Sequence, residues 1–257
     1  MINTMIKCSI ATKKTVILFH GWTGGKENVM ELALELKEKS RVNVFIPSLT
    51  GHGKETSKKL FLKATSHDWL NDAEKAYEYC VKESLEVIAV GGISMGSLLA
   101  IHTANKYKIT SLMLVSPALF NKNKLIYLTP IASFFLDAIK LKTPREFRPW
   151  SYYEDEDYLE VQKEVFKKYV WIKPAAELLK LQIKARKTLK ALDINRLWVV
   201  MSEQDETCPL KQNISFIRKH TSPKISKNIK IMTAGNHEIL NDIRVEKEVC
   251  DFITNSF

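Results

Sequence analysis

Five residues, Gly92-Ile93-Ser94-Met95-Gly96, stand between a β-forming run, Glu86 to Gly91, and a helix-forming run, Leu98 to His102. A serine between two glycines at such a corner has two readings. One is a tight turn. The other is a nucleophile on a strained elbow, its hydroxyl aimed away from both elements, because glycine permits close backbone approach. A serine hydroxyl is a weak nucleophile until a base takes its proton, and the base needs a third group to orient it. Two later stretches offer such partners. Ser202 to Glu206 (SEQDE) carries Glu203, Asp205 and Glu206, and Thr233 to Glu238 (TAGNHE) carries His237. Met95, directly after the serine at a helix N-terminus, would place a backbone N–H and a helix dipole where negative charge develops during attack.

These residues are useful together only if the fold gathers them. Short apolar runs recur at Thr15–Phe19, Arg41–Ile46, Val87–Val90, Ile109–Val115, Leu197–Met201 and Ile229–Met232. Most are apolar almost throughout, as strands covered on both faces must be. Helical patterns lie between them: Val29 to Lys39, Trp69 to Val81 with Thr65 or Ser66 as cap, and a helix from Pro209 to about Lys219. This alternation predicts an α/β fold, a mostly parallel sheet flanked by helices. In such sheets function gathers at the carboxyl ends of the strands. HGWTGG (His20 to Gly25), PSLTGHG (Pro47 to Gly53), the serine corner, SEQDE and TAGNHE each follow a predicted strand. A serine, an acid and a histidine thus fall on one edge, in that chain order.

Between Leu119 and Leu192 the alternation stops. Helical stretches over Ile126–Leu141, Tyr158–Val170 and Pro174–Leu192 are punctuated by Pro130, Pro144, Pro149 and Pro174, with an acidic run at Glu154–Asp157. The segment is too long for an ordinary connection. It reads as a helical insertion, residues 119–192, in a core formed by 1–118 and 193–257.

Composition narrows the function classes. The chain has 257 residues, 45% hydrophobic and 26% charged, with 39 basic against 29 acidic side chains and a net charge of +10. The lysines are scattered, and no aromatic-basic or zinc-finger pattern accompanies them, so a solvated surface is expected rather than a nucleic-acid partner. Cys8, Cys80, Cys208 and Cys250 form no CxxC pair, and Cys208 reads as a small buried or loop thiol. MINTMIKCSI lacks a secretory pattern and no stretch suits a membrane span, so a cytoplasmic protein with reduced thiols is expected. No cluster has metal-ligand spacing and no phosphate loop is present, which predicts neither metal nor cofactor.

The elbow, the His20–Gly24 pattern HGWTG, Gly51-His52-Gly53 and the order Ser, Asp, His resemble the α/β-hydrolase superfamily, and within it the small bacterial carboxylesterases and monoacylglycerol lipases. Trp22 stands where that group usually has Phe, and Ser97 where it often has Gly. The resemblance covers nearly the whole chain. It implies Ser94 as nucleophile, His237 as base and, by register, Asp205 as the orienting acid over Glu203 and Glu206. It also implies Trp22 as the second oxyanion-hole donor beside Met95, His20 as a brace of that loop, and the insertion as a cap over the site. The expected activity is hydrolysis of carboxylic esters, of short-to-medium acyl chain or monoacylglycerols, through an acyl-enzyme. Thioester or aminopeptidase chemistry on the same scaffold, or a non-catalytic ligand-binding homologue, are the alternatives. An aminopeptidase needs an acidic pocket, for which Glu154–Asp157 is the obvious source.

Tyr127 to Ile139 is the most apolar part of the insertion. On a continuous helix Ile131, Phe134, Phe135 and Ile139 would share a face. That face has two uses that can coexist: packing on the core and lining an acyl pocket, with Ile131, Phe134 and Phe135 as substrate contacts. Lys122, Lys124, Lys140, Lys142, Arg145 and Arg148 flank it, which would suit weak contact with an anionic lipid surface.

Overall fold

The computed structural model describes residues 3–9, 11–53, 56–140, 168–222, 225–255 and 257. Among the described residues seven strands form the main sheet: β1 (Thr4–Ile6), β2 (Lys14–Phe19), β3 (Asn43–Ile46), β4 (Glu86–Ile93), β5 (Ser111–Val115), β8 (Arg196–Ser202) and β9 (Ser226–Met232). Their order is β1-β3-β2-β4-β5-β8-β9. Every pairing is parallel except that of the edge strand β1, which runs antiparallel to β3.

Among the described residues eight α-helices accompany them: α1 (Met30–Ser40), α2 (Lys58–Lys63), α3 (Ser66–Lys82), α4 (Met95–Tyr107), α5 (Thr129–Ala132), α6 (Ile172–Lys190), α7 (Leu210–His220) and α8 (Glu246–Thr254). The inner strands β2 to β5 and β8 read as near-continuous apolar runs because both their faces are buried over most of their length. Ile17, Phe19, Leu112, Leu114 and Val199 point into one cluster, shared with α3, α4, α6 and α7. Val16, Leu18, Met113, Val115 and Val200 point into the other, closed by α1 and α8. Alternate residues of one strand thus serve opposite layers, the period-2 geometry of a strand in a three-layer sandwich. Thr65 is the cap of α3: its hydroxyl accepts from Asp68 N–H while the Asp68 carboxylate accepts from Thr65 N–H. This reciprocal pair satisfies two backbone donors at the helix start.

The stretch between β5 and β8 departs from expectation in one respect. Residues 126–141 do not form one helix. A 3-10 turn over Lys124–Leu128 leads into the single turn of α5, and the chain then enters a short strand, β6 (Ala138–Lys140). β6 pairs antiparallel with β7 (Tyr169–Trp171). Pro130 suits the first turn of α5 and would break a longer helix upstream, while the Ser133 hydroxyl bonds back to Pro130 O where α5 ends. Pairing with a segment thirty residues away then decides the fate of 138–140. The helix expected over Tyr158–Val170 lies outside the described residues up to 167, and its last two positions belong to β7. The acidic run 154–157 and the cations Lys142, Arg145 and Arg148 also lie outside them. The helix expected from Pro174 is present as α6. No helix among the described residues is long and apolar enough to cross a membrane.

Candidate active site

β4 ends at Ile93 and α4 begins at Met95, leaving Ser94 alone to turn the chain. It does so at φ 54°, ψ −115°, a backbone that a residue with a side chain adopts only under strain. The corner is held from both sides. Ser94 N–H donates to Val115 O at 2.9 Å, and Ala118 N–H donates to Ser94 O at 3.3 Å. Beneath it the buried Ser97 hydroxyl donates to Gly92 O at 2.7 Å and lies 3.1 Å from Val115 O. The two glycines have a steric reason. A Cβ on Gly96 would sit 2.0 Å from Phe19 O, and one on Gly92 would sit 2.5 Å from the Gly96 carbonyl carbon. The elbow can pack against the end of β2 only because both positions lack a side chain.

The three residues expected to act together meet here. His237 Nδ1 lies 2.8 Å from Asp205 Oδ2, and His237 Nε2 lies 2.8 Å from Ser94 Oγ. With Nδ1–H donating to the carboxylate, Nε2 presents its lone pair to the serine hydroxyl. Asp205 is fixed in turn: its Oδ1 accepts from the N–H groups of Thr207 and Cys208, both at 2.8 Å. Glu203 and Glu206 are exposed, whereas Asp205 is 1% exposed. Of the three acids in SEQDE, Asp205 is therefore the one that faces the imidazole.

Burial favours the protonated form of Asp205, but the hydrogen bond and charge of His237, with the two backbone donors, outweigh it and hold the carboxyl below its ordinary range. Burial of His237 disfavours the imidazolium. The Cys208 sulfur beside the ring and the Asp205 carboxylate act the other way and raise its pKa well above the ordinary value.

The His20–Gly25 loop follows β2 and lies against the serine. A Cβ on Gly21 would stand 3.6 Å from Ser94 Cβ, which puts the residue before Trp22 beside the elbow. Gly24 N–H turns back to Gly21 O, and Gly53 N–H ties the next loop to Gly24 O. His20 Nδ1 donates to Gly21 O at 3.0 Å, the expected bracing role. His52 is buried, its ring packed among His20, Phe61 and Trp69, with Nδ1 donating to Thr50 O. Desolvation lowers the pKa of His20 to about 4 and of His52 to about 3, so both are neutral imidazoles.

Ile131, Phe134 and Phe135 are placed at the surface, 67%, 83% and 80% exposed. Leu125, Leu128 and Leu136 are exposed beside them.

Two contributors are not legible as site residues in the sequence. Ser202, fully buried at the end of β8, bonds to Gly235 O at 2.5 Å, lies 3.2 Å from Ala234 O, and accepts from Gln204 N–H. It fastens the acid-bearing loop to the histidine-bearing loop. Cys208 is buried as expected, and its sulfur falls in one cluster with the donor atoms of Asp205 and His237, all within 4.8 Å. The D-x-x-C spacing was the available signal for that neighbourhood.

Over residues 10–244 the chain matches the family described as serine aminopeptidase, S33, and it belongs to that family of α/β hydrolases. A carboxylesterase of Bacillus subtilis (strain 168) is 31% identical over 88 residues, 34% of this chain and 35% of that protein, so the match spans about a third of the relative's length. Among solved structures, one described with LipS and LipT, two metagenome-derived lipolytic enzymes, superposes with a TM-score of 0.78 at 18% identity, covering 99% of this chain and 97% of that one. A soluble variant of monoglyceride lipase from Saccharomyces cerevisiae, in complex with a substrate analogue, gives 0.75 at 15% identity, covering 99% and 90%. Monoacylglycerol lipase of Paleococcus ferrophilus gives 0.72 at 16%, covering 99% and 97%. At these identities the likeness is one of fold.

Proposed function

We propose that this member of the serine aminopeptidase S33 family is an esterase that cleaves carboxylic esters through an acyl-enzyme on Ser94. The observation that carries the proposal is the unbroken chain from Ser94 Oγ to His237 to Asp205, 2.8 Å at each link, on a serine held at φ 54°. In the first half-reaction Ser94 Oγ attacks the ester carbonyl carbon as its proton passes to His237 Nε2. The imidazolium is stabilised by Asp205. The carbonyl π pair moves to oxygen, and the backbone N–H groups of Trp22 and Met95 hold that oxyanion. Collapse expels the alkoxide, which takes the proton from Nε2 and leaves as alcohol. In the second half a water repeats the sequence and releases the acid. Strain at Ser94 is useful here, because it pre-aims the hydroxyl before substrate arrives.

Residues 119–192 act as a cap on a core of 1–118 and 193–257. The substrates are short-to-medium acyl esters or monoacylglycerols, a choice supported by the Bacillus carboxylesterase and by the monoglyceride lipases that share the fold. The exposed apolar side chains Leu125, Ile131, Phe134 and Phe135, with Lys122, Lys124 and Lys140 close in sequence, support weak contact between this segment and an anionic lipid surface carrying such substrates. Four free cysteines favour a reducing, cytoplasmic setting.

The test is turnover of p-nitrophenyl esters from acetate to palmitate by wild type and Ser94→Ala. The proposal expects turnover that the variant loses, with an optimum that sizes the acyl pocket. Faster turnover of thioesters or aminoacyl p-nitroanilides than of any ester would reassign the substrate class. Equal activity of variant and wild type would remove Ser94 from the mechanism.

A further inference from the structure

We propose that Asp205, Cys208 and His237 form an inhibitory binding site for a thiophilic divalent cation, Zn²⁺ above all, so that metal binding and catalysis compete for the same histidine. The inhibitory part rests on the catalytic role proposed for His237; the binding part does not. Among the described residues these three form the one group of potential ligands that the fold brings together, with donor atoms all within 4.8 Å of one another. The donor set is an imidazole nitrogen, a thiol sulfur and a carboxylate oxygen, each a ligand type used for zinc, with a fourth position left for water.

Two local features assemble it. The turn after β8 folds Cys208 back onto the acid, since Thr207 and Cys208 both donate their N–H groups to Asp205 Oδ1. The Cys208 sulfur also lies against the His237 ring. The thiol makes and breaks no bond in ester hydrolysis, so its metal-ligating chemistry is free of that reaction. Zinc bonds of about 2.0–2.3 Å imply ligand separations of roughly 3.3–3.6 Å, so closure asks about 1 Å of side-chain adjustment. Asp205 and Cys208 are buried, while the His237 side chain keeps 16% of its surface exposed and gives the cluster its opening.

The exchange balances with one proton released. Zn²⁺ replaces the thiol proton of Cys208. The imidazole proton moves from Nδ1 to Nε2, which frees the Nδ1 lone pair for the metal and Asp205 Oδ2 from its hydrogen bond. Nε2 then carries a proton and can no longer accept one from Ser94 Oγ.

Wild type and Cys208→Ser are compared in three assays. Equilibrium dialysis against zinc, followed by metal analysis, counts bound ions. Cobalt or cadmium titration reads the thiolate-to-metal absorption band. Ester turnover with and without EDTA reads inhibition. The proposal expects one zinc per chain, a thiolate band in wild type, inhibition reversed by EDTA, and at least about 30-fold more zinc needed to inhibit the variant, since loss of even an outer-shell partner of a metal ligand costs about 10–100-fold. Turnover of the variant without zinc reports that it is folded. Equal zinc sensitivity in both proteins, or binding without a thiolate band, would overturn the proposal. Cys208-dependent zinc binding in a protein without ester turnover would leave the metal site standing and remove the esterase reading.

Discussion

His20 and His52 make acid the perturbation to which this fold is most exposed. Their rings lie 5.6 Å apart in the core beside the candidate site, and burial holds their pKa values near 4 and 3. In the unfolded chain each titrates at about 6.5. The unfolded state therefore binds more protons below that value, and stability falls with pH from about 6.5 down to the folded values. At pH ~5 each unfolded histidine is nearly fully protonated and each folded one is neutral, which costs about 2 kcal/mol per residue, or about 4 kcal/mol for the pair relative to pH ~7.5. That is a large part of the ~5–15 kcal/mol a domain holds in reserve. Among the described residues the buried Nε2 of His52 has no hydrogen-bond partner, so a proton there would find no acceptor among them. Urea unfolding at the two pH values, for wild type and His52→Phe, measures the effect. Phenylalanine keeps the ring against Phe61 and Trp69 and removes the titration. The variant should be less sensitive to the pH drop by about 2 kcal/mol. If it loses as much stability as wild type between the two pH values, His52 is not neutral in the fold and the reasoning fails.

Three further outcomes follow from the site. Gly96→Ala places a methyl 2.0 Å from Phe19 O and 2.7 Å from His20 O, both backbone atoms; a loss of about 3 kcal/mol in denaturant unfolding is expected, with ester turnover reduced on the order of 10²-fold as the His20–Gly25 loop is displaced from Ser94. Ser202→Ala removes the link between the acid and histidine loops; about 1–2 kcal/mol should be lost, with kcat reduced and KM little changed, and an unaltered kcat would show that Ser202 does not position His237. His237 must be neutral to accept the serine proton, and its pKa is raised, so kcat/KM should climb with pH through a midpoint above 6.5. In Asp205→Asn that midpoint should fall and turnover should drop about 10⁴-fold; an unmoved midpoint would mean another group limits the rate.

Much of this was legible in the sequence, for a physical reason. Strands β2 to β5 and β8 are covered on both faces over most of their length, so burial writes them as apolar runs that stand out from the helical spacing around them; β9, at the sheet edge, is only half-buried and keeps Lys227, Asn228 and Lys230 within it. Ser94, Asp205 and His237 were legible because a parallel sheet brings the ends of its strands to one edge, which turns chain order into proximity. What depends on distant pairing was not. β1 is three half-buried residues whose strand character comes from β3. The helix expected over 126–141 gives way because Ala138 to Lys140 find partners in Tyr169 to Trp171. Ser202 and Ser97 look like any loop or helix serine until the fold shows which carbonyls they reach, and His52 shows its neutral state only once Phe61 and Trp69 enclose it.

Site-mapped labelling shows at once whether Ser94 is the residue acylated. Wild type is treated with a fluorophosphonate, digested, and the modified peptide sequenced by mass spectrometry, with Ser94→Ala and His237→Ala alongside. One adduct per chain is expected, on Ser94, absent from Ser94→Ala and formed far more slowly in His237→Ala. An adduct on another residue, or a wild type that does not react, would contradict it.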